Sequence, residues 1–95
     1  MSKAELHAQV LVVDDEVDHA EVMAEALRKP GHVCTIVNSL ADATEELTQG
    51  NFDVIVTDLV MESETAGLKV LELAKLHQGD AETIMVPAHG DVATA

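Results

Sequence analysis

The chain has 95 residues, 47% of them hydrophobic with Phe52 the single aromatic, which allows one domain with one aliphatic core and does not fit an intrinsically disordered chain. Five Lys and Arg against eighteen Asp and Glu leave a formal charge of −13, a field that repels nucleic-acid phosphates, argues against direct nucleic-acid binding by this segment and favours cations. One cysteine, Cys34, rules out a disulfide scaffold, and no apolar run approaches membrane-spanning length.

Residues 1–8 read as a polar, flexible leader without a signal-peptide core, so a soluble cytoplasmic protein with no membrane partner is expected. Val10 to Val13 is the first predicted strand. A helix follows from Val17 to about Lys29, with Val17, Ala20, Met23, Ala24 and Leu27 as its inward stripe and Arg28 and Lys29 where the helix dipole favours cations. His19 and Glu21 are expected on its wet face, and His19 is not assigned a metal role because imidazole competes poorly with oxygen for Mg²⁺. Pro30 and Gly31 stop the helix.

Val33 to Val37 alternates enough to be an edge strand, with Cys34 as a small core residue. Asn38 or Ser39 then caps a helix from Leu40 to Thr48 whose stripe is Leu40, Ala43 and Leu47. The β-branched run Val54, Ile55 and Val56 suits a central strand buried on both faces. After a loop through Ala66, a third helix spans Leu68 to His77 with Leu68, Leu71, Ala74 and Leu76 inward. Gln78 to Ala81 is a turn, Thr83 to Val86 a fourth strand, and Asp91 opens another helix. Strands alternating with helices, over connections too long for hairpins, predict right-handed crossovers and a parallel sheet.

Two strands end in acid: the first runs into Asp14, Asp15 and Glu16, the third into Thr57 and Asp58. An isolated Asp after a strand often does no more than cap a turn. A carboxylate at the carboxyl end of a central parallel strand also lies at the crevice where open α/β sheets bind ligands. If both runs are parallel strands, three aspartates converge, and each then raises the proton affinity of the next. A hard divalent ion relieves that repulsion. Mg²⁺ fits, since one or two carboxylates, several waters and a phosphate are its usual shell.

The segments VLVVDDE, FDVIVTDLVM and IMVPAHG closely resemble the receiver domain of two-component response regulators, from about Gln9 to Ala95. The resemblance implies a flavodoxin-like, doubly wound α/β fold with a parallel sheet of order 2-1-3-4, and it is this assignment that makes strands one and three neighbours. It implies further that Asp58 accepts a phosphoryl group from a histidine kinase or phosphotransfer protein, with Mg²⁺ as cofactor. Asp15 is then a direct metal ligand with Asp58, Asp14 acts through water, and the main-chain carbonyl of Val60 completes the protein's share. Such a domain catalyses its own phosphorylation and dephosphorylation and is not a multiple-turnover enzyme. The ending AHGDVATA resembles receivers attached to transcription activators of the nitrogen-regulation type.

Three departures from the family bear on function. Pro87 stands at the switch position usually held by Ser or Thr, and proline offers neither a hydroxyl nor an N–H. The loop after Asp58 continues Met61, Glu62 rather than Met-Pro, and reaches glycine one residue late, at Gly67. The sequence stops before the family's fifth strand, with its phosphoryl-pairing lysine, and fifth helix; if these 95 residues are all that is present, the fourth strand is expected to be a sheet edge, and a homodimer or larger assembly joined through it or through the stub after Asp91, or else partial unfolding, is expected. These departures give a competing expectation, a degenerate receiver that binds partners without phosphorylation. A phosphohydrolase using Asp58 as nucleophile is disfavoured, because such enzymes place a second acid two residues on, where this chain has Val60.

Overall fold

A computed structural model of the chain describes residues 7–58 and 65–86. Within them the elements run β1 (Gln9–Val13), α1 (Val17–Arg28), β2 (Val33–Val37), α2 (Leu40–Gln49), β3 (Val54–Asp58), α3 (Ala66–His77) and β4 (Glu82–Val86). The four strands form one parallel sheet ordered β2-β1-β3-β4, the flavodoxin-like arrangement expected from the sequence. The expected helix from Asp91, Val60 and Pro87 all lie outside the described residues.

Side-chain alternation along the strands divides the core in two. Leu11 and Val13 of β1, Val37 of β2 and Ile55 of β3 face α2 and α3, meeting Ala43, Leu47, Val70 and Ala74. Val10, Val12 and Val56 point the other way and pack against Ala20 and Ala24 of α1, with Met23, Leu27, Cys34 and Ile36 at the margin. The β-branched runs are therefore apolar without interruption because both sides of the sheet are covered.

The helix ends follow their local chemistry. Ser39, rather than Asn38, caps α2: its hydroxyl accepts from the Asp42 N–H at 3.1 Å. α1 ends where Gly31 takes a φ of +108°, a left-handed conformation that glycine adopts without a Cβ penalty, and the Gly31 and His32 N–H groups turn back to Arg28 and Leu27.

Two inward stripes differ from expectation. Val17 is 57% exposed because it opens α1 just past the last ladder residue, where little sheet lies beneath it. On α3 the buried residues are Ala66, Gly67, Val70 and Ala74, while Leu68 and Leu76 are 49% and 74% exposed. Leucines at 68, 71, 73 and 76 surround the helix, so their pattern does not select a face. The small residues do, because they let the helix backbone approach the sheet closely.

Candidate functional site

The carboxyl ends of β1 and β3 build the site. Val13 of β1 pairs with Thr57 of β3, so the next residues along the two strands, Asp14 and Asp58, lie side by side. The two-residue alternation that turns Val10 and Val12 toward α1 continues to Asp14, and that of Val54 and Val56 continues to Asp58. Both acids therefore share the α1 side of the sheet edge. With Asp15 they offer three carboxylate oxygens within 4.8 Å of one another.

The three carboxylates sit in different surroundings. Asp14 is wholly buried, Asp15 exposed and Asp58 half-buried. Thr57, also buried, donates its hydroxyl to the Asp58 carbonyl at 3.2 Å. Asp14 is fixed along its whole length: its N–H donates to the Val37 carbonyl at 3.1 Å, and its carbonyl accepts from Asn38 Nδ2 at 2.9 Å. Oδ1 accepts the Glu16 N–H at 2.9 Å, which turns the chain into α1, and Oδ2 meets His19 Nδ1.

The structure thus brings together the three acids singled out in the sequence. His19, expected on the wet face of α1, is instead half-buried against Asp14. Asn38, considered as a helix cap, holds the Asp14 carbonyl. The sequence does hint at both: an acid just before a helix invites a donor from the first helical turn, and Asn directly after a neighbouring parallel strand lies level with that acid.

The donor set suits a hard divalent cation. Three clustered oxygens of like charge repel one another, the exposed Asp15 leaves the cluster open to water, and Mg²⁺ favours oxygen ligands with retained waters. Asp14, Asp15 and Asp58 are the residues that would hold it.

Away from the cluster, burial pushes the Cys34 thiol up from its ordinary range, with Arg28 partly offsetting the shift. Cys34 is half-buried, less enclosed than expected, because β2 is an edge strand. None of the described helices is long and apolar enough to cross a membrane.

Comparison with known proteins agrees with this geometry. The family described as the response regulator receiver domain matches residues 10–95. The transcriptional regulatory protein ZraR of Klebsiella oxytoca is 28% identical over 86 residues, covering 90% of this chain, which spans 19% of that relative's length. Regulators named NtrC and NtrX are also among the relatives. The crystal structure of the response regulator protein TrrA from Thermotoga maritima in complex with Mg(2+)-BeF superimposes with a TM-score of 0.77 at 27% identity, covering 90% of this chain and 74% of that one. TrrA in complex with the histidine kinase ThkA gives 0.74 at 28%, covering 86% and 70%.

Proposed function

This chain belongs to the response regulator receiver domain family of two-component systems, and on that premise we propose that Asp58 accepts a phosphoryl group beside a bound Mg²⁺. The observation that carries the reading is the convergence of Asp14, Asp15 and Asp58 at the carboxyl ends of neighbouring strands. A degenerate, phosphorylation-independent receiver gains nothing from that arrangement.

An Asp58 carboxylate oxygen attacks the phosphorus of a phosphohistidine. A phosphorus–oxygen bond forms as the phosphorus–nitrogen bond breaks, and the leaving imidazole nitrogen keeps the electron pair and takes a proton. When bound, Mg²⁺ supplies charge neutralisation for the phosphoryl oxygens. Asp15 and Asp58 would hold it, Asp14 would support it through water, and the carbonyl of Val60, which lies outside the described residues, would complete the set. Catalysis then consists of positioning and charge neutralisation, with water later cleaving the aspartyl phosphate.

The donor is a histidine kinase or phosphotransfer protein, supported by the neighbouring complex of TrrA with ThkA. We place the domain in the cytoplasm, as the input segment of a longer transcription regulator like the named relatives.

Incubation with acetyl phosphate and Mg²⁺, followed by intact mass, tests the reading. A gain of one phosphoryl group that disappears in Asp58→Asn is expected. A gain that survives the substitution moves the acceptor elsewhere.

A further inference from the structure

We propose that His19 is a positioning residue, whose imidazole fixes the carboxylate of Asp14 in the orientation that supports cation binding. The inference rests on the reading of Asp14, Asp15 and Asp58 as a divalent-cation site.

Asp14 is the wholly buried member of the trio, and both of its carboxylate oxygens have protein partners. The Glu16 N–H on Oδ1 belongs to the backbone and tolerates any side chain. The contact on Oδ2 is made by one side chain, His19, on the first turn of α1. A cation-supporting Asp14 carboxylate only accepts, so in that state the ring nitrogen facing Oδ2 would be the donor. Both the Nδ1–H tautomer and the imidazolium meet that requirement, and the role depends on no change of charge.

His19 is not one of the three residues whose ligand atoms converge. It acts through Asp14. Without a donor on Oδ2, Asp14 would present an unpartnered buried oxygen beside two further carboxylates, and its χ2 rotation would be restrained by the Glu16 N–H alone. A small ion that demands near-ideal octahedral geometry is sensitive to that loss. Hydrogen-bond partners of metal-supporting groups commonly carry a 10- to 100-fold effect on affinity.

The test uses the full chain and three variants. Asn places its Nδ2–H close to where the imidazole holds Nδ1–H, Gln carries its amide one bond farther out, and Ala has no donor. Mg²⁺ titrations followed by NMR at the Asp15 and Asp58 amides should show H19A and H19Q weakened by about tenfold, with H19N near wild type. The Glu16 amide proton, bonded to Oδ1, reports the carboxylate directly. It should shift in H19A and H19Q before any metal is added, and hold in H19N. A structural role alone would lower stability and leave the affinity of the folded chain unchanged. Should H19A not fold, H19N against H19Q decides the matter. Equal affinities across the variants, or tighter binding in H19A, would overturn the role of His19 while leaving the cation site standing. A wild-type chain that takes no Mg²⁺ would overturn the cation site, and the positioning role with it.

Discussion

Gln78 Nε2 donates to the Leu47 carbonyl at 2.9 Å, tying the end of α3 to the last turn of α2 across 31 positions. The same nitrogen donates to the Gly50 carbonyl at 2.8 Å, and Oε1 accepts the Phe52 N–H at 3.0 Å. One amide thus satisfies three backbone groups between α2 and β3. Gln78→Ala should lower unfolding stability by about 1–3 kcal/mol, the cost of stranding part-buried backbone groups. A hollow of 140 Å³ lined by Asn51, Phe52, His77 and Asp80 lies alongside, so water limits the loss. The urea midpoint should fall with the m-value unchanged.

Leu47 and Leu76 should respond very differently to truncation. Leu47 is fully buried beneath α2, whereas Leu76 is 74% exposed on α3. Leu47→Ala should cost about 2–5 kcal/mol through lost burial and a residual cavity. Leu76→Ala should stay within about 0.5 kcal/mol. Denaturant unfolding of the pair checks that α2 packs through Leu47 and that Leu76 lies on the outward face of α3.

Asp15→Asn should remove most Mg²⁺ binding while leaving the fold intact, because the side chain is exposed and its loss strands no buried partner. The measurement is the Mg²⁺-dependent shift of the Asp14 and Asp58 amides. Saturable shifts that persist in the variant would exclude Asp15 as a ligand.

Cys34 should alkylate along a pH profile displaced to higher pH than that of the unfolded chain. Burial disfavours its thiolate, the reactive species, and Arg28 cancels only part of that effect. The sign carries over to stability. Folding holds the proton more tightly than the unfolded chain does, so this contribution is present below the unfolded thiol pKa and fades as pH rises through the folded one. Iodoacetamide rates against pH, native and in urea, read the displacement.

If Pro87 occupies the switch position that the resemblance implies, Pro87→Thr should enlarge the spectral difference between the free and beryllofluoride-bound chain, because a hydroxyl at that position would donate to the phosphoryl mimic. Equal differences in wild type and variant would show that Pro87 does not limit the switch.

The strands were the legible part of this sequence. Unbroken runs such as Val10 to Val13 and Val54 to Val56 locate strands buried on two sides, and the observed elements begin within two residues of the expected positions. The acids Asp14, Asp15 and Asp58 stood out because they end those runs. The face of α3 did not, since leucines surround that helix and the contact is made by Ala66, Gly67, Val70 and Ala74. His19 escaped for a related reason: its placement depends on where the first turn of α1 sits over the sheet end, a tertiary fact that helical periodicity does not carry.

Asn38 belongs to the corner between β2 and α2, yet its side-chain bond lands on the carbonyl of Asp14, while Val37 takes the Asp14 N–H. The outermost strand of the sheet therefore shares in holding an acid that lies beyond its neighbour. A genetic screen for loss of signalling would recover changes at Asn38 beside changes at Asp14, although Asn38 contributes no atom to the acidic trio. Suppressors of such changes should then arise in the edge strand and its exit, far in sequence from the β3 aspartate beside Asp14.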